Sequence, residues 1–274
     1  MNSQSLIAGM RRRVLEEEGV LRKEAALRVA LCHPSPYAAA MSSLGFQTIY
    51  REIHAHPEAA AERAFLPETP GLYRTSRLPV MTYETGTPLA EFPVVAFSIA
   101  YELELAGIFE MLDLSGIPPL RHDRTDRHPL IVAGGPLTYS NPAILAPFVD
   151  LVLLGEGEDL VHVFLDAAAS MRREELLSHL SRMPGCAVPG RTAGSAGMGK
   201  AADERLPARS QILTKNTVLS SMFLVEPERG CSRGCAFCVM RCTTNGGMRL
   251  VDPEQVLSLI PANSRRVGLV GAAV

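Results

Sequence analysis

Four short aliphatic runs punctuate the first part of the chain, at 28–32, 93–98, 130–134 and 150–154. Each is too short for a helix, is rich in Val, Leu, Ile and Ala, and ends in a loop-forming group. Strands buried on both faces of a parallel sheet have this pattern. Between the runs, 37–50, 101–114 and 141–148 have apolar positions suited to covering helices, and 159–182 supplies one or two more. The alternation predicts an α/β fold with a doubly wound, mostly parallel sheet of the Rossmann type. Such sheets take ligands beyond the C-terminal ends of their strands, so the informative loops begin at Cys32, Ser98, Gly134 and Gly155.

The flanking segments read differently. Residues 6–26 mix apolar and charged positions at helical spacing, with arginines at 11–13 and glutamates at 16–18 on the wet side, and predict a leading helix. The stretch 183–209 is crowded with Pro, Gly, Ala and Arg without a sustained period, and reads as an exposed loop or interdomain linker. Beyond it, 216–226 is β-like, 252–260 is helical with Asp252 as N-cap and Pro253 at the first helical position, and 266–271 resembles a second buried strand. The expected organisation is a leading helix (1–27), an α/β domain (28–182), a linker (183–215) and a second, incomplete βα segment (216–274).

Hydrophobic residues make up 47% of the 274 and charged residues 20%, so buried cores are expected. A net charge of −2 gives no general basic field. Nucleic acid is therefore not indicated as a partner, although an RNA substrate is not excluded. No stretch reaches the ~20 apolar residues of a membrane span, and the N-terminus lacks the apolar core of a signal peptide, so the expected location is cytoplasmic. Three of the six cysteines fall within eight positions, unlike a disulfide framework, which points to metal or redox chemistry in a reducing compartment.

That cluster is Glu226-Pro-Glu-Arg-Gly-Cys231-Ser-Arg-Gly-Cys235-Ala-Phe-Cys238. Soft thiolates at this spacing on one loop favour an iron-sulfur cluster or zinc. Three thiolates hold three irons of a cubane and leave the fourth open for a small molecule. Cys242 could complete a four-thiolate zinc site or a closed cluster instead, and that alternative stays open on spacing alone. Arg229, Arg233 and Arg241 would lower the thiol pKa values and offset the cluster's charge, or form a solvated basic loop.

The CxxxCxxC after a strand resembles the radical S-adenosylmethionine superfamily. The resemblance implies a 4Fe-4S cluster held by Cys231, Cys235 and Cys238, S-adenosylmethionine on the open iron, and its cleavage to a 5'-deoxyadenosyl radical. It implies that Phe237 sits near the adenine through its backbone, and that Gly271, Ala272 and Ala273, in place of the usual Gly-Gly-Glu, meet the cofactor's amino group. It also implies a one-electron donor such as flavodoxin or ferredoxin. No side chain is assigned a catalytic role.

The α/β half resembles the cobalamin-binding domain that precedes the radical domain in a large subgroup of that superfamily. Ser98-Ile-Ala100 stands where Ser-x-Leu is usual, and Gly134-Gly135 follows the next strand, where small residues let a nucleotide tail approach the backbone. The third signature, DxHxxG with its cobalt-binding histidine, is not present, because the first strand runs into Leu31-Cys32-His33-Pro34-Ser35. His33 is expected to be a plain surface residue, and cobalamin without a protein ligand is left open. Gly155-Glu156-Gly157-Glu158 reads as a ligand-facing loop or a turn into the next helix.

A radical domain of about six βα units at ~30 residues each does not fit into 231–274. The expectation is a first strand, the cluster loop, one helix and part of a second strand, with little or no turnover by this piece alone. The function expected is radical S-adenosylmethionine chemistry on an unidentified substrate. The alternative is a non-catalytic ligand- or partner-binding module with a metal-binding cysteine tail.

Overall fold

The computed structural model describes residues 3–233, 235–239 and 247–272. Strands β1 (Leu27–His33), β2 (Ala59–Phe65), β3 (Val94–Ser98), β4 (Leu130–Gly134), β5 (Leu151–Leu153) and β6 (Cys186–Ala187) form one sheet in the order β2-β1-β3-β4-β5-β6. The first five are parallel and β6 closes the far edge antiparallel to β5. The chain reverses its direction of winding between β1 and β3, which is where a doubly wound sheet opens a crevice. The expected α/β class is thus observed, with all four sequence-predicted strands present.

Helices cover both faces because the strands are apolar on both. One face packs α2 (Tyr37–Ala40), α3 (Leu44–Ala55), α6 (Gly157–Ser170) and α7 (Arg173–Leu180) against Leu27, Val29, Leu31, Val132 and Leu151. The other packs α5 (Leu105–Leu114) against Ala30, Cys32, Val95 and Ile131. Ser43 caps α3 by accepting a hydrogen bond from the Phe46 amide. Helix α4 (Pro70–Thr75) lies in the Pro-rich stretch between β2 and β3, and the predicted helix at 141–148 is reduced to a 3-10 turn, Pro142–Leu145.

Strand β2 is not visible as an apolar run because Glu62 and Arg63 interrupt it. Both are buried, and both are fully partnered. Glu62 accepts from Arg28, Thr82 and Thr85. Arg63, 0% exposed, donates two hydrogen bonds to Glu17 at 2.9 and 2.7 Å and one to Glu84 at 2.6 Å. The demand of Arg63 for Glu17 also explains the N-terminus. Helix α1 (Ser3–Leu15) ends earlier than its periodicity predicts, and the chain beyond it runs extended so that Glu17 reaches Arg63 and Tyr37 and Glu18 bridges to Leu213.

The segment expected to be an exposed linker is packed only in part, and residues 189–200 are exposed or half-exposed as expected. Cys186, Val188, Ala201, Leu206 and Ala208 are buried, and residues 185–199 run beside the loop after β5. Two of its glycines serve close approaches: Gly199 lies against Gly155, where φ is +96° and a Cβ would stand 2.5 Å from the Gly199 carbonyl oxygen, and a Cβ on Gly185 would stand 2.7 Å from Leu160.

After this segment, β7 (Phe223–Val225) pairs parallel with β10 (Val267–Leu269), and α8 (Pro253–Ser258) lies between them in sequence, capped by Asp252 as predicted. The short strands β8 (Glu228–Arg229) and β9 (Arg249–Leu250) pair antiparallel and bracket the cysteine segment. Two arginines on this ladder fasten it to the loop after β5. Arg229 Nη1 lies 2.7 Å from Glu158 and 3.6 Å from Glu156, and its other nitrogens donate to Glu226 at 2.8 and 2.7 Å. Arg249 donates to Glu156, to Asp203 at 3.0 Å and to the Ala201 carbonyl at 2.8 Å. Burial alone would lower the Arg229 pKa, but Glu226, Glu158 and Glu156 outweigh it and raise it above an ordinary guanidinium.

Three outcomes are expected. Arg63→Met strands two buried carboxylates and lowers the unfolding free energy in urea by about 3–5 kcal/mol. Arg229→Met loosens the β8–β9 ladder, read as faster amide exchange at Val251, whose N–H donates to the Pro227 carbonyl. His33 and His54 are both held below the usual 6.5 by burial, against the opposing pull of Glu104 on His33 and of the Ala61 carbonyl on His54. The unfolded chain therefore takes up protons first on acidification, so stability present above about pH 6.5 declines as pH falls toward the folded values. The double variant His33→Gln/His54→Gln should flatten the urea midpoint between about pH 7 and pH 5.5.

Candidate functional site

The C-terminal ends of β1, β3, β4 and β5 face one cavity of about 380 Å³, lined by His33, Ser98, Gly134, Gly135, Gly155 and Glu156 among others. Ser98 and Gly134 are register partners, so they sit side by side at its rim. Gly135 is required there: its φ is +108°, and a Cβ would meet the backbone oxygen of Ile99 at 2.6 Å. The cavity runs inward between the sheet and two helices, with Val29, Leu31 and Val132 on one side and Ile49, Ile53 and Phe164 on the other. Its far wall comes from the second part of the chain, through Glu226, Arg229, Val239 and Val270.

His33 departs from its expected surface position. It is 5% exposed, packs edge-on against Phe46 at 5.5 Å, and holds Nδ1 3.7 Å from Glu104, too far for a hydrogen bond. Glu104 is itself occupied by the Ser35 hydroxyl at 2.8 Å and the Ala100 amide at 2.6 Å. Tyr139, unnoticed in the sequence, also lines the cavity, where burial pushes its hydroxyl pKa up.

The three cysteines of the motif are reduced thiols. Cys235 is exposed, and Cys231 and Cys238 are half-buried. They are unlike Cys32 and Cys186, which are core residues, Cys186 being pushed up to about 11 by burial. The Cys238 amide donates to the Cys235 carbonyl at 3.1 Å, and the Arg233 amide donates to Cys231 Sγ at 3.4 Å. Phe237 is 91% exposed.

Among the described residues no three metal-ligating side chains converge. The donor set nevertheless fits an iron-sulfur cluster chemically, being three accessible soft thiols on one loop with an amide donor to sulfur. Arg229, expected beside the thiols, is instead committed to carboxylates. Gly271 and Ala272 follow β10 directly, next to Val270 of the cavity wall. Gly234, Arg241, Cys242 and Ala273 lie outside the described residues.

The loop Gly155-Glu156-Gly157-Glu158 is both a ligand-facing loop and a helix entry, since it lines the cavity and α6 starts at Gly157. Its role as the anchor for Arg229 and Arg249 has no sequence signal, because the partners lie 71 or more positions away. Among the described residues no helix is long and apolar enough to cross a membrane.

Comparison with known proteins places this architecture. A curated relative, the 2-(S-pantetheinyl)-carbapenam-3-carboxylate methyltransferase of Streptantibioticus cattleyicolor, is 32% identical over 48% of this chain and 21% of its own length. The chain thus spans about a fifth of that relative. No solved structure matches. The family described as radical SAM proteins, N-terminal, matches residues 45–189, more than half of the chain and most of the six-stranded sheet with its cavity. The chain belongs to this radical SAM N-terminal family.

Proposed function

We propose that this chain carries the cofactor-binding front of a radical S-adenosylmethionine enzyme, with methyl transfer as its reaction class. The observation that carries the reading is the position of the cysteine segment. The chain just after Cys238 and the residue just before Gly271 both line the cavity that Ser98, Gly134 and Gly135 rim. A ligand on the sheet and a cofactor on the cysteine loop would therefore share one space.

In this reading Cys231, Cys235 and Cys238 hold a 4Fe-4S cluster and leave one iron free for S-adenosylmethionine. When bound and reduced, that pair supplies a 5'-deoxyadenosyl radical. The Phe237 backbone meets the adenine, and Gly271 and Ala272 meet the cofactor's amino group. Ser98, Gly134 and Gly135 admit the tail of a cobalamin, for which the apolar slot between sheet and helices provides room. Cobalt would have no ligand from a DxHxxG histidine, since the motif is not in the sequence. The relative's name supports the reaction class, and its substrate is not carried over. A one-electron donor such as flavodoxin or ferredoxin and a reducing, cytoplasmic setting belong to the same proposal.

The chain's own contribution is placement. Arg229 and Arg249 hold the strands flanking the cysteine loop against Glu156 and Glu158, at the cavity mouth. The aliphatic walls make most of the slot's lining apolar.

Anaerobic reconstitution followed by electron paramagnetic resonance tests the reading. The reduced protein should show a cluster signal that changes when S-adenosylmethionine is added. Replacing Cys231, Cys235 or Cys238 by Ala should abolish it, and Cys242→Ala should not. A signal indifferent to S-adenosylmethionine, or one lost with Cys242→Ala, would favour a closed metal site on a non-catalytic binding module. Absorption after incubation with hydroxocobalamin reports on the sheet cavity separately.

A further inference from the structure

A basic cluster lies at the opposite end of the sheet from the cavity, where the chain enters β4 and β5. Asp150, just before β5, accepts the Ile131 amide of β4 at 2.8 Å and Arg173 Nη2 at 3.0 Å. Arg124, in the loop before β4, holds Nη2 3.4 Å from the same carboxylate. Its side chain is 1% exposed, and Nη1 donates to the Pro118 and Pro119 carbonyls at 3.2 and 3.1 Å, but Nε and Nη2 have no hydrogen-bond partner. Arg121 donates its amide to the Pro147 carbonyl at 2.8 Å, which sets it beside the entry to β5. Its Nε is buried without a hydrogen bond, and no carboxylate lies within ion-pair distance of it among the described residues.

The charges do not balance. Three guanidinium groups share the one carboxylate of Asp150, which leaves an excess of two positive charges. Nearby acids do not offset it: Glu174 pairs with Arg191 at 2.6 Å, and Asp123 lies 3.4 Å from His122. Asp126 and Glu175 are exposed, as are the further arginines Arg127 and Arg172. Burial lowers the Arg124 pKa, Asp150 opposes that, and Arg173 and Arg121 push it down further. Buried guanidinium donors without acceptors carry a desolvation cost, and like charges at close range add to it. An anion relieves both.

We propose that Arg121, Arg124 and Arg173 form a phosphate site at the amino ends of β4 and β5. The half-exposed Arg121 and Arg173 hold the anion directly, and the buried Arg124 adds charge without contact. Arg173 uses one donor on the His128 carbonyl and one on Asp150, so three of the five donors on a guanidinium remain to it. Guanidinium forks match phosphate oxygens in pairs, and a dianion meets the excess charge where a carboxylate would leave half of it. The site goes beyond the proposed function, since none of these residues lines the cavity and the cysteines take no part in it.

The test is titration calorimetry on the full chain at constant ionic strength, with inorganic phosphate, glycerol 3-phosphate and acetate as probes. Phosphate should bind with a dissociation constant of about 1 mM or tighter, the affinity of two charge-assisted hydrogen bonds, and acetate about tenfold more weakly. Arg121→Gln should weaken phosphate at least tenfold, and Arg121→Lys should recover part of the loss. Without ligand, Arg121→Gln should melt no lower than wild type, because it removes a charge that has no partner. A purely structural arginine would instead lower the melting temperature and leave phosphate binding where it was.

Tighter binding of glycerol 3-phosphate than of inorganic phosphate assigns the site to a phosphomonoester, and the reverse order assigns it to the free ion; either supports the proposal. No phosphate binding, acetate binding as tight as phosphate, or phosphate binding that survives Arg121→Gln would overturn it. None of these results bears on whether the reconstituted cluster responds to S-adenosylmethionine.

Discussion

The arrangement of the candidate site depends on an ionic joint. Arg229 and Arg249 stand on two strands that pair with each other, and both reach carboxylates on the loop after β5. Four carboxylates, from Glu156, Glu158, Glu226 and Asp203, surround these two guanidinium groups. Guanidinium forks in partly buried positions hold geometry well because each donor has a fixed direction. Backbone contacts assist: the Ser210 amide donates to the Leu224 carbonyl and the Glu226 amide to Ala208, tying β7 to the packed segment before it. The orientation of the cysteine loop relative to the cavity follows from these contacts together.

Much of the sheet was legible because burial on both faces writes itself as uninterrupted aliphatic sequence. Strands β1, β3, β4 and β5 each carry that signature. Strand β2 escaped because its two central charges look like surface residues. Their partners, Glu17 and Glu84 for Arg63 and Thr82, Thr85 and Arg28 for Glu62, are scattered along the sequence, and no local pattern reveals that a charge is satisfied at a distance. The same long-range pairing shortened α1, whose periodicity continues past the point where Glu17 is drawn inward. Residues 183–209 were legible in part: 189–200 are exposed or half-exposed as expected, whereas Gly185 and Gly199 serve close packing that composition alone does not reveal.

The site divides along similar lines. Cysteine spacing is a local signal, and Ser98 and Gly134-Gly135 follow from the rule that ligands sit at strand ends, so the sequence pointed to loops that line the cavity. It assigned His33 to the surface because a histidine beside proline carries no mark of burial. The structure puts it under Phe46 and beside Glu104. Arg249 likewise becomes meaningful only when Glu156 is opposite it.

The loop at 155–158 is the point where these constraints meet. Its first residue is fixed from two directions, by the Thr138 hydroxyl accepting its amide at 3.1 Å and by the backbone of Gly199 against it. Its last residues begin α6, whose inner face forms one wall of the slot. Its two carboxylates carry the ladder that brackets the cysteines. A displacement of this loop would therefore alter the slot, the helix entry and the cysteine segment together, and the two glycines are what allow so many contacts within four residues. Gly157 packs so closely that a Cβ would stand 3.0 Å from Ile49 on α3, the helix that supplies the other part of that wall. The helix wall of the cavity and the loop that holds the cysteine segment are thus in direct contact, so the geometry of one is set by the geometry of the other.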